Sequence, residues 1–287
     1  MEFLVDPFLN NGFMTRALLA GVLVSIACAV VGTFVVLRGL AFIGDALAHG
    51  VLPGIAGAIL LGLPGMVGAA VGAIVMIAGV SLVTRRSRLS SDTAIGLLFV
   101  AMLALGVVMI SASDAFAGDL IAILFGQILG TSWDQVLTLT IATTLVVVVS
   151  TLAARPFLLL SFDPEQADVA GFPSRHYHML MLLLVALTVV VAFQAVGTLL
   201  VFGMLLAPAA AGALLANRIG SMMIIAGVIG SASTYVGLLV SYWFDFAAGA
   251  TIVLVAVSAF FGVLAVTTAR ESNGHVGTTD AAGETVS

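Results

Sequence analysis

Lysine is absent from this 287-residue chain, and all nine of its cations are arginine. A phosphate-cradling G-x-x-x-x-G-K-[ST] loop needs its lysine, so the chain holds no ATP site of that kind. Schiff-base chemistry through lysine is excluded with it. The single cysteine, Cys28, rules out an internal disulfide and any cysteine-built metal cage. Lying in an apolar run, it reads as inert packing. Charge of either sign is scarce: 8% of residues are charged, against about 25% in a soluble domain. So little charge cannot coat a globule in water. The net charge of −5 is thinly spread and offers no footprint for nucleic acid. The first ten residues hold Glu2 and Asp6 and no cation, unlike the basic start of a cleaved signal peptide.

Apolar residues make up 62% of the chain. A bilayer-spanning helix takes roughly 20 of them, so the supply fills eight or nine spans and little else. The expected fold is an all-α polytopic membrane protein. Charge, Gly and Pro punctuate it into spans near 13–37, 41–61, 64–84, 93–112, 136–155, 178–196, 198–216, 219–240 and 249–269. The stretch 178–216 reads either as two spans or as one long bent helix plus a short one, which lowers the count to eight. With nine spans, Arg38, Arg85, Arg86, Arg88, Arg155, Arg175, Arg218 and Arg270 fall on one side and only Arg16 on the other. Arginine collects on the cytoplasmic side of membrane proteins. Glu2, Asp6, Asp114, Asp119, Asp134 and Asp245 gather opposite, with Trp133 and Trp243 as interfacial anchors. The pattern predicts an N-out, C-in topology in the cell membrane.

Residues 1–12 then form an extracytoplasmic N-terminal segment, 13–270 the membrane domain, and 271–287 a polar, disordered cytoplasmic tail. Residues 113–135 lie outside. Their apolar stretch Leu120 to Leu129 is too short to span and reads as a re-entrant or surface helix. Residues 156–177 lie inside. There Asp163 suits an N-cap, Pro164 the first helical position and Glu165 the first turn, with Gly171 and Pro173 as the stop. The sequence has no tandem repeat. Small-xxx-small pairs recur at Gly50/Gly54, Gly68/Gly72 and Gly126/Gly130 and permit close helix packing, a weak signal among 31 glycines.

Inside the spans, ionisable residues are nearly missing. The exception is the second span, AFIGDALAHGVLPGIAG, with Asp45 and His49. Their i,i+4 spacing sets both on one helix face, ~6 Å apart along the axis. Counting from the arginine-rich end puts Asp45 about 6 Å deep and His49 about 12 Å deep. Burying an Asp there costs at least about 2.5 kcal/mol on the insertion scale, repaid either by a cation pathway or by hydrogen bonds of the pair to each other and to a neighbouring helix that fix packing only. A carboxylate with an imidazole suits Zn²⁺, Mn²⁺ or Fe²⁺, and two copies in a symmetric dimer would double the set to four ligands. Pro53 frees the His49 carbonyl by withholding the usual N–H, and broken backbone at membrane depth lines cavities and ion sites. His176 and His178 sit at the loop–span junction as interfacial residues, His275 lies in the tail, and Gln194 reads as interhelical glue.

The stretch GTFVVLRGLAFIGDALAHGVLPGIAGA resembles the signature of the permease subunits of manganese/zinc/iron ABC importers, the ABC-3 family. LIAILFGQILGTSWDQV, LSFDPEQADVAGFP and FQAVGTLLVFGMLLAPAAAGALLA fit it too, so the resemblance runs from about Gly12 to Arg270. It implies a type II ABC importer-like fold and a non-catalytic permease. That permease would work by alternating access as a dimer with a second copy of itself, two cytoplasmic ATPase subunits and an extracytoplasmic metal-binding protein. Asp45 and His49 would meet the cation in transit, and Asp163, Glu165, Ala167 and Gly171 would mark the coupling helix that docks on the ATPase. The chain itself would hold no cofactor, with ATP on the partner. An ion-gradient-driven secondary metal transporter could use the same Asp45/His49 pair as a relay. An intramembrane enzyme would need a nucleophile beside His49, or a fuller one-chain metal site, and neither is visible.

Overall fold

A backbone without water beside it must bond to itself, and the computed structural model accordingly builds its membrane region from helices. It describes residues 6–8, 10–111 and 127–280. The helices are α1 (Gly12–Leu37), α2 (Ile43–Gly50), α3 (Leu52–Leu60), α4 (Gly65–Arg86), α5 (Ser91–Ser111) and α6 (Trp133–Leu152). After these come α7 (Ala154–Phe162), α8 (Pro164–Val169), α9 (Ser174–Val196), α10 (Thr198–Leu215), α11 (Ile219–Phe244) and α12 (Ala248–Asp280). Among the described residues eight helices are long and apolar enough to cross a bilayer, α2 and α3 counting together as Ile43–Leu60. Leu199–Leu215 in α10 is a shorter apolar helix. It is separated from α9 at Gly197, so the stretch 178–216 is two helices.

Helix α1 is the central post, with 72% of its apolar window buried. Small residues on it admit its neighbours. A β-carbon on Gly32 would strike the carbonyl of Leu205, with Ala209 beside it, and Cys28 faces the Val201 carbonyl; numbers rise together, so α10 runs parallel to α1. Gly21 meets Thr234, Ser25 meets Gly230 and Ala29 meets Gly227, so α11 runs antiparallel. After the short turn past α11, α12 heads back against α11 and α10, with Gly237 at Ile252 and Gly203 at Val253, and the first and last spans point the same way.

One end of the bundle gathers the cations. Arg38 follows α1, Arg85 and Arg86 close α4, Arg175 opens α9 and Arg218 caps α11. Arg38 Nη1 donates to His178 Nδ1 at 2.6 Å, tying the end of α1 to the start of α9. His178 is thus a partner of Arg38 across two helices. At the other end Asn11 reaches Tyr242 at 3.5 Å, and Trp133 and Trp243 begin and end their helices there.

Of three further features, the sequence reading expected the first, the break at Pro53, and not the other two. The second span is two short helices meeting at Val51, because Pro53 has no N–H for the His49 carbonyl. Within 156–177 there is an extra helix, α7, set off from α6 at Ala153; Pro156 withholds the bond that would continue α6. Helix α12 continues to Asp280, ten residues past Arg270 and into the expected tail; 281–287 lie outside the described residues. Most of 113–135, including the expected helix up to residue 126, lies outside them too. What is described there is a 3₁₀ turn at Ile128–Gly130 and a capping box, Ser132 with Gln135, that starts α6.

Candidate cation site in the second span

Helix α1 stops abruptly. Gly39, at φ +65°, lets Leu40 N–H bond back to the Val35 carbonyl and Gly39 N–H to Val36, a Schellman closure that turns the chain into α2. Six of the eight residues of α2 are buried: Ile43, Gly44, Ala46, Leu47, Ala48 and Gly50. Asp45 and His49 are the two that remain partly open, with side-chain exposures of 31% and 19%. The helix is seated by its glycines. Gly44 lies against Leu205 of α10, and Gly50 lies against Met76 of α4.

Glycine also sets the floor. A β-carbon on Gly54 would enter the Gly68 carbonyl, and one on Gly68 would enter that of Gly54. Gly72 faces Val51 and the Gly50 carbonyl at 3.0–3.1 Å from where its β-carbon would be. The small-xxx-small pairs Gly50/Gly54 and Gly68/Gly72 therefore face each other, the first spanning the α2–α3 break and the second on α4. On the other flank, Gly106 of α5 packs over Leu52 and Pro53 at the break. The broken span is held by backbone contact on two sides.

Asp45 Oδ1 and His49 Nε2 stand 3.4 Å apart, as the i,i+4 spacing predicts. This is the only ion-pair contact among the described residues. The imidazole makes a T-shaped contact with Phe99 of α5, centroids 5.6 Å apart. Its Nδ1 is buried and has no hydrogen-bond partner. The pair thus offers donor atoms that its own protein does not saturate. No cluster of three His, Cys, Asp or Glu side chains occurs among the described residues. The described residues thus offer a pair of candidate ligands here rather than a closed cage.

The four residues marked at 156–177 also fall in one place. Asp163 Oδ1 accepts from Glu165 N (2.9 Å) and Gln166 N (3.3 Å), capping α8 with Pro164 at its first position. Glu165 is exposed, whereas Ala167 is 1% exposed and seats the helix inward. Gly171, at φ +84°, ends α8 with a second Schellman closure: Phe172 N bonds to the Ala167 carbonyl, and Gly171 N to Asp168. Phe162 and Val169 flank α8 with large exposed apolar side chains, 76% and 90% accessible. The sequence reading missed Asp168, whose Oδ1 and Oδ2 accept from Ser174 N (2.7 Å) and Ser174 Oγ (2.9 Å). Those two bonds hold its carboxyl below the ordinary 3.8. The signal was an Asp six residues ahead of a Ser that follows Pro at a helix start.

A multi-pass bundle, helical throughout the described residues, defines an integral membrane protein. The chain belongs to the ABC 3 transport family, whose model matches residues 10–267. It is 40% identical to the "Manganese transport system membrane protein MntC" of Listeria innocua serovar 6a, over 90% of this chain and 91% of that one. It is 38% identical to the "Chelated iron transport system membrane protein YfeD" of Yersinia pestis, over 91% and 86%. Among solved structures it resembles "PsaBC from Streptococcus pneumoniae in complex with Fab", with a TM-score of 0.81 and 35% identity, covering 91% of this chain and 94% of that one. It is a multi-pass protein of the cell membrane.

Proposed function

We propose that this chain is the permease of an ATP-driven importer of a divalent transition-metal cation, Mn²⁺, Zn²⁺ or Fe²⁺. The observation that carries the reading is the Asp45/His49 pair: two hard-to-borderline donors, partly open, on a span broken by Pro53, with His49 Nδ1 unpartnered. Carboxylate and imidazole together suit these three ions and do not separate them. Two ligands per chain fit a site completed by a second copy across a two-fold axis. A half-filled shell also favours release, since a transported ion must leave as readily as it enters.

The arginine-rich end is the cytoplasmic one. There α8, flanked by Phe162 and Val169, is the docking helix for an ATPase subunit, which brings the lysine-bearing phosphate loop this chain lacks. A binding protein delivers the cation at the opposite end. ATP-driven closure of the ATPases moves α8, and the path past Asp45 opens to the other side.

The test is uptake into proteoliposomes carrying the permease with its ATPase and binding protein, with the three metals in competition. Uptake that needs ATP and is lost in Asp45→Ala and His49→Ala supports the reading. Uptake driven by an ion gradient with the permease alone replaces it with a secondary transporter. Wild-type uptake by either variant removes the pair from the path.

A further inference from the structure

We infer that Asp168 is a positioning residue that locks the docking helix to the sixth span, so that α8 and the start of α9 move as one lever. The inference rests on the role proposed above for α8. A six-residue helix beside a loop would ordinarily swing without moving its neighbour. This one is tied at several points. The Asp168 carboxylate takes both donors of Ser174, the first residue of α9, with one oxygen for each. Between them the chain has no slack: the Schellman closure at Gly171 fixes residues 167–172, and Pro173 fixes the entry to α9.

The lever reaches into the bundle through aromatic rings. Phe172 contacts Tyr177 edge-on at 5.8 Å, Tyr177 contacts Phe157 at 6.3 Å, and Phe157 contacts Phe34 at 5.1 Å. Phe157 and Phe34 are fully buried, so the chain of rings runs from the corner through α7 into α1. The Arg38–His178 bond closes the loop, joining α1 back to α9 one turn above Ser174. Packed rings resist compression and transmit displacement. Asp168 is the polar link at the outer end of this series, exposed and outside the membrane-spanning helices, where its loss leaves the buried part intact.

The arrangement predicts slippage rather than unfolding when Asp168 is removed. ATP would still be hydrolysed by a docked ATPase, but fewer cations would cross per ATP. In proteoliposomes of the whole complex with Mn²⁺ supplied outside, Asp168→Ala should lower Mn²⁺ taken up per ATP hydrolysed by roughly fivefold, the low end of ordinary coupling factors. Asp168→Asn, which keeps a carbonyl acceptor for Ser174 N–H, should recover most of the ratio. Ser174→Ala, which keeps the backbone donor, should fall between. A merely structural cap would instead lower complex yield, uptake and hydrolysis together and leave their ratio unchanged. An unchanged ratio in Asp168→Ala, with wild-type uptake present, overturns the lever alone. Absence of ATP-driven uptake in the wild type overturns the transport reading itself.

Discussion

Asp45 and Asp168 are the same side chain in opposite settings. Asp168 is at the surface, yet both its oxygens are occupied, at 2.7 and 2.9 Å. Asp45 lies in a membrane span, where an unsatisfied acid is costly. Its ion-pair contact is a loose 3.4 Å approach to an imidazole whose other nitrogen has no partner. Packing alone would give the reverse, with the acid inside a span saturated and the one at the surface free. On the roles proposed above, the inversion is that between a joint, which must hold, and a ligand, which must remain available.

Breaking the ligand side should have the largest effect. Asp45→Ala or His49→Ala should take metal uptake down by at least the roughly 10–100-fold that loss of an outer-shell partner of a metal ligand costs, read as ATP-dependent Mn²⁺ accumulation. The glycine floor comes next. Gly54→Leu drives a side chain into the Gly68 carbonyl, and overpacking of that kind costs about 1–3 kcal/mol or more. Thermal denaturation in detergent should show a lowered midpoint, whereas Gly96→Leu, with open space around it, should not. On the joint side, Gly171→Arg forces an L side chain into the left-handed region, at about 1–2 kcal/mol. It should weaken ATPase association in a pull-down from detergent. Asp163→Ala removes a cap worth about 1 kcal/mol and should weaken the same association less.

The smallest effect is a pH dependence. The carboxyl of Asp168 is depressed below 3.8, so its contribution is complete above that value and is lost as pH falls through the lowered one. The wild-type to Asp168→Ala ratio of Mn²⁺ per ATP should therefore be flat between about pH 5 and 8, well above an ordinary Asp pKa. A ratio that changes across that window would show a different group holding the corner.

The legible parts of this molecule were those written in adjacent residues. Asp163, Pro164 and Gly171 carry start and stop chemistry at fixed offsets, and α8 forms between them. Asp45 and His49 stood out because ionisable residues are nearly absent from the spans. Pro156 carried an equally local signal for the α6–α7 break, but 156–177 was read as one loop with a single helix. What stayed hidden depends on which helices meet. The Gly54–Gly68 contact needs α3 and α4 face to face, and Phe34, Phe157 and Tyr177 come from three separate helices. Ala167 shows the same limit at one residue: a motif position marked for docking is turned inward, where it seats α8 on the bundle.

Cys28 has a practical sequel. The only thiol in the chain is sealed inside α1, against the Val201 carbonyl, and a buried thiol of this kind is unreactive. The natural protein is therefore already a blank for thiol labelling. A cysteine introduced at Val169 would be a single addressable site at the end of α8, and one at Trp243 would report from the far end. Membrane-impermeant reagents could then read sidedness, and spin or dye labels could follow α8 through a transport cycle, with no background to subtract.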